Sequence, residues 1–491
     1  MKQTRLFTFL MASLLVTAAV TACGGDAGTT TADDTKAAET GSAVETEAVE
    51  EDIFSARLKV ADDLPEANYD GRVFRILNDG HVGTFAEQDG DVVNDAIYMR
   101  NLTVAERFNV TFEDINKENG DGTKAYVTKS INAGDDSFDL VITHSITAGD
   151  LALEDYYLNW YEIPHIDFEK PWWAVTTREN LSYDGVCPLA IGDLALMSYG
   201  QTVCMYFNKQ LVENYDLENP YDIVRTGEWT YEKLISMTKN IYEDKNLNGT
   251  VDPEDLFGVT LDAKNRANMF YWAFDNPLMA TENGELKVTY RTEKLTAFVT
   301  ALCNDFYTNT GCCVNTEFKE VALPSFTAGN AVFQFGMFRD ASWTRDMEDD
   351  FGILPLPKYD EAQENYQSML SSQILLIPSS LDDEMKAYVG TITEALSYES
   401  WKTVTPAVYN TIFENKYLRD ATSYEMYQMI RSSLVCDFNW NYGNGNELTS
   451  MAIKLLKDQK STDVASYLAK YSEKIAVSYE KLTDAVKEIY D

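Results

Sequence analysis

The chain has 491 residues, of which 45% are hydrophobic and 12% aromatic, a composition typical of a globular protein. It carries 79 acidic and 40 basic residues, which give a formal net charge of −39 at pH 7. Binding to nucleic acid or to an anionic lipid surface requires clustered Lys and Arg, so this charge argues against both classes of partner.

The first 22 residues have the features of an export signal. Lys2 and Arg5 precede an apolar run over residues 6–20, which is shorter than the roughly 20 residues of a spanning helix. Small residues then lead to Cys23, an arrangement that resembles the lipobox of bacterial lipoproteins. We expect residues 1–22 to be removed and Cys23 to carry a lipid anchor. The alternative is an ordinary secreted protein that contains Cys23 by chance.

Residues 23–66 are predicted to form a disordered, acidic linker that follows the lipidated residue. Residues 24–52 are mostly Thr, Ala, Glu and Asp, so they have too little apolar surface to offset the entropy lost on ordering. No later segment has the roughly 18 consecutive apolar residues of a membrane span. The protein is therefore expected on the extracellular face of the cell membrane, held there by the lipid anchor only.

Strands and helices alternate in the first part of the folded region, which begins near Asn68. The predicted elements are strands at 72–77, 110–112 and 138–143 and helices at 95–108, capped by Asn94, and at about 124–133. Such alternation predicts an α/β fold with a parallel sheet, in which ligands bind beyond the carboxyl ends of the strands. Thr143, His144 and Ser145 follow a predicted strand and occupy such a position.

The folded region as a whole has roughly 440 residues, which is too long for one small core, so we expect two lobes of roughly 200 residues each. The predicted elements here are a strand at 203–208, a helix from Lys209, a helix capped by Thr230, a helix end running into a strand at 326–335, an extended Pro-rich segment at 350–358, and mainly helices from Asp382.

The order of several segments resembles the extracellular solute-binding proteins of carbohydrate ABC importers, a family similar to maltose-binding protein. The segments are 138–141, 158–164, 171–173, 206–209, 227–230, 326–331 and 351–360. The resemblance implies an α/β, two-lobe periplasmic-binding-protein-like fold of type II, with the ligand cleft between the lobes and a helical C-terminal part. In such proteins the ligand closes the lobes by hinge motion and is not chemically altered.

The resemblance also implies chain crossings near Asn208 and near Asp350. The expected lobes comprise about 67–205 with 347–410 and about 208–346 with 411–491. We expect a monomer that captures an oligosaccharide or monosaccharide and delivers it to the transmembrane subunits of an ABC permease. The alternatives are a lipid-anchored polysaccharide-active enzyme, a surface adhesion protein, and a binding protein for a solute other than sugar.

Sugars present hydroxyls around two weakly apolar faces, so their sites need aromatic rings and short polar side chains. In the family, the loop after the strand at 332–335 carries cleft residues, often an aromatic one. This sequence lacks the Gly-Trp pair common there, which leaves the choice of aromatic open. The predicted ligand-binding residues are Phe338, Arg339, Asp340, Trp343, Trp172, Trp173, His144 and Asp193. Packing in the core is the alternative for each Trp, including Trp160 and Trp272, which also lie in or near loops.

Residues 244–255 have the spacing of an EF-hand calcium loop. The predicted ligands are Asp244, Asn246, Asn248, Thr250, Asp252 and Asp255, with Gly249 at the sharp turn. Asp replaces the usual Glu at the twelfth position, which shortens the bidentate arm and should weaken binding. A bound calcium ion would be structural, and a solvated turn without an ion is the alternative. No cofactor is expected to be required.

Signals for catalysis are weak. The three His residues, at 81, 144 and 165, show no zinc-binding spacing, and the chain has no nucleophile elbow or Walker-type phosphate loop. The chain has 79 acidic residues, so a pair of carboxylates chosen from the sequence does not indicate a glycosidase site. The protein is therefore predicted not to be an enzyme. Besides Cys23, the chain has six Cys. The sequence does not decide between disulfides and buried thiols for these six.

Overall fold

Two β-sheets flanked by helices organise the chain. A computed structural model describes residues 55–80, 83–196, 200–252, 254–262, 267–282, 285–315, 322–344, 347–370, 373–413, 421–442, 447–459 and 461–490. These residues belong to the unit Ile53–Asp491. The predicted export signal, Cys23, His81 and most of the predicted linker lie outside the described residues.

The described strands and helices follow one another along the whole unit. The strands are β1 (Arg72–Asn78), β2 (Val110–Asn116), β3 (Leu140–His144), β4 (Val203–Asn208), β5 (Tyr242–Glu243), β6 (Leu256–Asp262), β7 (Met279–Glu282), β8 (Glu285–Val288), β9 (Cys312–Asn315), β10 (Ala331–Met337), β11 (Phe351–Leu354), β12 (Ser368–Met369), β13 (Gln373–Leu376) and β14 (Leu434–Val435). The α-helices are α1 (Val92–Phe108), α2 (Gly120–Ala133), α3 (Ser145–Ala152), α4 (Val175–Asn180), α5 (Lys209–Asn214), α6 (Pro220–Arg225), α7 (Tyr231–Thr238), α8 (Phe270–Ala273), α9 (Thr292–Thr308), α10 (Ala322–Thr327), α11 (Asp383–Glu399), α12 (Thr405–Phe413), α13 (Ala421–Ser432), α14 (Phe438–Tyr442), α15 (Met451–Ile453) and α16 (Val464–Tyr490).

The first sheet has the strand order β13-β3-β1-β2. Strand β1 is parallel to β2 and β3, with Phe74 opposite Phe112, whereas β13 is antiparallel to β3. The carboxyl ends of the three parallel strands, at Asn78, Asn116 and His144, therefore meet at one edge. The parallel α/β arrangement predicted from the alternating pattern is confirmed.

The second sheet has the strand order β11-β4-β10-β6-β5, with β9 also beside β6. Strands β10 and β9 are parallel to β6, and β4 is antiparallel to β10. Every residue of β4 and β10 is buried, as expected for central strands covered on both faces. The parallel strands β6, β9 and β10 end at Asp262, Asn315 and Met337, which form the equivalent edge of this sheet.

The two sheets form the two lobes, and the strands that precede and follow the second lobe's central strands pair within the second sheet. Strands β4 and β11 pair with each other in the second sheet, and Lys209 N donates to the Asp350 carbonyl at 2.8 Å. The passages between the sheets therefore lie within residues 145–202 and 355–372. The crossings near Asn208 and Asp350 stay predictions, and residues 351–354 belong to the second sheet.

Helix caps explain several element boundaries. The first helix begins at Val92 because the Asp91 side chain accepts hydrogen bonds from Val93 N and Asn94 N, so Asp91 is the cap and the prediction of Asn94 was wrong. Thr230 accepts from Lys233 N at 3.1 Å, which confirms it as the cap of α7.

The C-terminal helices pack against both lobes. Helix α14 lies on α3 of the first lobe so closely that a Cβ atom at Gly149 would lie 1.6 Å from the Asn441 carbonyl oxygen. This contact accepts only glycine at position 149. Helix α16 packs against α9 on the second lobe. The predicted helical C-terminal part is confirmed, and it joins the lobes instead of belonging to the second alone.

Candidate ligand-binding site

The edge of the first lobe where the parallel strands end is built around Asp79. Its buried carboxylate accepts hydrogen bonds from the Thr143 hydroxyl at 3.0 Å and from His144 N at 2.9 Å, which joins the ends of β1 and β3. His144 is half-buried, and its Nδ1 accepts from Ile146 N at the start of α3. His144 thus lies at the predicted edge. Sequence reasoning missed Asp79, although an acid directly after a buried strand was a usable signal.

The loop after β10 forms a 3₁₀ helix, Phe338–Thr344, at the matching edge of the second lobe. Phe338 is buried and packs on the Tyr427 ring with centroids 5.4 Å apart. Asp340 is also buried, and its carboxylate accepts from Met337 N at 2.8 Å. The prediction that these two side chains bind ligand was wrong, since both serve the packing of this turn.

Two other side chains of the same turn reach solvent. Trp343 is 51% exposed, whereas Trp172 and Trp229 are fully buried. Arg339, on the same turn, is also exposed. Both remain predicted ligand-binding residues, because an indole that is left half in water at the end of a buried strand can stack on a sugar face.

The Trp172–Trp173 pair lies in the core of the first lobe. The two indole nitrogens donate to the two carboxylate oxygens of Glu394, at 2.8 Å and 2.9 Å. Burial raises the pKa of Glu394 to about 8, despite the two indole hydrogen bonds. Both rings are buried, so the prediction that they are ligand platforms was wrong and the alternative of core packing holds.

Asp193 is fully buried and engaged within the protein. Its carboxylate accepts from Arg431 Nη2 at 2.9 Å and from the Thr405 hydroxyl at 2.7 Å. A carboxylate held in this way links protein segments and has no surface to offer a ligand. The prediction of Asp193 as a ligand-binding residue was therefore wrong.

A cavity of about 130 Å³ lies beside the end of α4. Its polar lining consists of Asn180, Asp275 and Gln367, and Trp272 and Cys436 also line it but are themselves buried. The rest of the lining is apolar and consists of Pro277, Met279, Ala280 and Val435. Trp272 was a weak candidate from sequence, and nothing in the local pattern marked the other lining residues.

The predicted calcium loop is folded around its own side chains. Asp244 accepts from Gly249 N at 2.8 Å, and Gly249 has the positive φ of 72° expected of the sharp turn. Asp255 is buried, and its carboxylate accepts from the Tyr242 hydroxyl at 2.9 Å and from Asp252 N at 3.1 Å. The described residues contain no group of three or more His, Cys, Asp or Glu placed to hold a metal. Calcium therefore stays a prediction, with the six predicted ligands unchanged: Asp244, Asn246, Asn248, Thr250, Asp252 and Asp255.

The six described cysteines form no disulfide with one another. Five are buried, and burial raises the pKa of the Cys436 thiol to about 12, which keeps it protonated. The alternative of buried thiols thus holds for the described chain. Within that same part of the chain, no helix is both long and apolar enough to cross a membrane.

Solved structures with the same architecture identify the fold. An ABC substrate-binding protein from Listeria monocytogenes, in complex with cycloalternan, aligns with a TM-score of 0.53 at 13% identity, over 84% of this chain and 100% of that chain. The fold is that of the two-lobed ABC solute-binding proteins. No protein-family model and no curated protein matches the sequence.

Two further solute-binding structures show the same likeness. A maltose/maltodextrin-binding domain from Bdellovibrio bacteriovorus, bound to maltotriose, has a TM-score of 0.51 at 13% identity and covers 85% of this chain and 100% of its own. A protein from Mycobacterium tuberculosis in complex with glycerophosphocholine has a TM-score of 0.51 at 15% identity and covers 84% and 98%. At these identities the likeness establishes the solute-binding fold but does not identify the ligand, which depends on the side chains at the site.

Proposed function

We propose that this chain is the extracellular substrate-binding lipoprotein of an ABC importer, which captures a carbohydrate and delivers it to a membrane permease. The observation that carries the proposal is the two-lobed solute-binding fold, with the half-exposed Trp343 at the strand-end edge of the second sheet. A ligand that contacts both lobes stabilises their closed arrangement, which a permease can then distinguish from the open one.

The side chains at the lobe edges favour a carbohydrate over other solutes. The cavity beside α4 presents the amides of Asn180 and Gln367 and the Asp275 carboxylate, whereas its Trp272 ring is buried. The half-exposed Trp343 supplies an aromatic ring at the second-lobe edge. Rings bind the weakly apolar faces of a sugar, and amides and carboxylates bind its hydroxyls. The solved structures of the same fold include complexes with cycloalternan and with maltotriose, which supports the same ligand class.

The lipid anchor and the extracellular location rest on the sequence. Lys2, Arg5 and the apolar run fit an exported precursor, and Cys23 fits the acylated residue. The acidic segment after Cys23 would serve as a solvated tether between the membrane and the two lobes. In this arrangement the protein meets its permease at the membrane surface and binds no lipid itself apart from the anchor.

Thermal unfolding tests the proposal on the mature chain from residue 23, carrying Cys23→Ser. Mono- and oligosaccharides, peptides, polyamines and glycerophosphocholine are compared as ligands. A ligand specific for the folded state stabilises it by about 2.7 kcal/mol at a hundredfold excess over its dissociation constant. We expect one sugar class to raise the midpoint. A shift with only a peptide, polyamine or phosphodiester would contradict the carbohydrate assignment.

Two variants localise the binding. Trp343→Ala removes the exposed ring at the predicted edge, and we expect it to reduce the sugar-induced shift while leaving the midpoint without sugar almost unchanged. Tyr98→Ala is the matched control, because Tyr98 is also partly exposed, at 39%, but lies on α1. An equal sugar-induced shift of the midpoint in both variants would show that Trp343 does not bind the sugar.

A further inference from the structure

The long helix of the first lobe changes pitch just before a proline. Helix α11 runs directly into a π-helix, Ser400–Val404, which runs directly into α12. Pro406 is the second residue of α12, and in an unbroken α-helix its ring would clash with the carbonyl four residues earlier. The wider π-turn relieves this clash, so the proline accounts for the change of pitch.

The same proline deprives the Trp401 carbonyl of a donor from its own helix. Thr405 N donates to the Ser400 carbonyl, five residues earlier, as the π register requires. The next donor in that register would be the backbone N–H of residue 406, and Pro406 has none. Trp401 is buried, so its carbonyl needs a hydrogen bond from elsewhere in the protein.

An N-terminal arm, defined here as residues 55–64, supplies that hydrogen bond. The arm begins with the 3₁₀ helix Ser55–Lys59, and Arg57 within it is buried. Arg57 Nη1 donates to the Trp401 carbonyl, and the guanidinium carbon lies 4.9 Å from the centroid of the Trp401 ring. A charged donor forms a strong hydrogen bond to a buried carbonyl. Arg57 thus takes the place of the N–H that Pro406 lacks.

Two further contacts hold the arm on the first lobe. The Tyr398 hydroxyl donates to the Val60 carbonyl at 2.9 Å. Arg107 Nη2, near the end of α1, donates to Asp62 Oδ1 at 3.2 Å. The two donors belong to different helices, α11 and α1, so the arm is bound across both of them.

The helix that the arm completes also reaches the link between the lobes. Thr405, the first residue of α12, donates its hydroxyl to Asp193 Oδ2 at 2.7 Å. Asp193 Oδ1 forms an ion pair of 2.9 Å with Arg431. Thr405 and Asp193 are both buried. Because Thr405 directly follows the π-helix, the geometry of that turn determines where its hydroxyl lies.

We propose that the N-terminal arm is a strap that couples the start of the folded chain to the junction between the lobes. Arg57 supplies the hydrogen bond that Pro406 cannot, fixes the π-turn, and so positions Thr405 against the Asp193–Arg431 pair. Arg57 is a positioning residue, since it acts through Trp401 and the turn. The arm directly follows the segment that the proposed function makes a membrane tether. Force on the tether therefore acts on the junction, and this last step alone rests on the proposed function.

A double-mutant cycle on the mature Cys23→Ser chain tests the substitute donor. Arg57→Met keeps an apolar stem over the Trp401 ring but removes the donor, and Pro406→Ala restores an N–H to the helix. We expect Arg57→Met alone to lower the folding equilibrium constant, measured by urea unfolding, at least about tenfold. In the Pro406→Ala background the same change should cause a loss at least about fivefold smaller. Arg57→Lys, which keeps a donor, should lose less than Arg57→Met.

Arg225→Met is the matched control for this cycle. Arg225 lies on α6 of the second lobe and pairs with Glu425 at the surface, so its effect and that of Pro406→Ala should add. Equal losses from Arg57→Met with and without Pro406→Ala would overturn the role of Arg57 as the substitute donor, and the proposal with it.

A second cycle tests the connection to the lobe junction. Thr405→Val keeps the shape of the side chain but removes the hydroxyl that binds Asp193. Because the strap positions this hydroxyl, the loss from Arg57→Met should be at least about threefold smaller in the Thr405→Val background than in the parent. Additive losses would overturn the coupling between the arm and the junction. Neither cycle needs a ligand, so failure of this inference and failure of the carbohydrate assignment are distinguishable.

Discussion

The Arg431 guanidinium and the Asp193 carboxylate form an ion pair, 2.9 Å apart, that ties the two lobes together. Asp193 belongs to the segment that joins the first sheet where Ala190 pairs with Leu375 of β13. Arg431 lies on α13, which packs against β11 of the second sheet. Only 16% of the Arg431 side chain and none of the Asp193 side chain is exposed. The pair is therefore a buried link between the two lobes.

Arg431→Ala should destabilise the protein strongly. It leaves the buried Asp193 carboxylate with the Thr405 hydroxyl but without its counter-ion, and breaking a buried pair in this way costs about 3 kcal/mol or more. Urea unfolding measures the change. Arg225→Ala is the control, since the Arg225–Glu425 pair is about 40% exposed and solvent-exposed pairs contribute little to stability. Similar losses in both variants would contradict the buried role of Asp193.

Glu394→Gln should change how stability depends on pH. The folded protein binds a proton at Glu394 more tightly than the unfolded chain does, because burial raises the pKa from 4.5 to about 8. The stabilisation from the protonated form is complete below pH 4.5 and is lost as the pH rises toward 8. We expect the difference in unfolding free energy between parent and variant to shift by a few kcal/mol from pH 5 to pH 8.5. A pH-independent difference would show that Glu394 titrates normally.

Calcium should raise the unfolding midpoint if the loop at 244–255 binds it. Positions one, three and five supply Asp244, Asn246 and Asn248, and binding to the folded state alone stabilises by mass action. The measurement compares melts in millimolar calcium, magnesium and chelator. Asn248→Ala should abolish the calcium effect, whereas Gln210→Ala should retain it. Identical unfolding midpoints in calcium and in chelator would show that the loop is a turn without an ion, held by the Asp255–Tyr242 hydrogen bond.

Cys23→Ser should release the protein from the membrane. The sequence assigns the lipid to this thiol alone, so the variant should incorporate no labelled fatty acid and should appear in the soluble fraction. Cys313→Ser is a control that removes a different thiol, one that is partly exposed. Fatty-acid incorporation that persists in the Cys23→Ser protein would contradict the lipobox assignment.

The fold was predictable because its signals are local. Apolar runs located β1, β3 and β4, and periodic positions located α1 and α2, although Asp91 replaced Asn94 as the cap of α1. The parallel sheet followed from alternation alone. The lobe boundaries were not predictable in this way, because the pairing of β11 with β4 depends on a contact between residues far apart in the chain.

The site was less predictable because burial decides which side chains reach a ligand. Trp172 and Trp173 look like sugar platforms in the sequence, but Glu394, more than 200 residues away, binds both indoles in the core. Phe338 and Trp343 lie on the same turn, and only Trp343 faces solvent. The cavity residues Asn180 and Gln367 come from separate segments, so no sequence spacing could have joined them.

The central claim is that the protein binds a carbohydrate between its lobes and does not alter it. The most direct measurement is calorimetric titration with the sugar class found by thermal unfolding, followed by chromatographic recovery of the sugar. We expect saturable binding at one site per chain and quantitative recovery of the unchanged sugar. Absence of saturable binding, or the appearance of a shorter or otherwise altered sugar, would contradict the account.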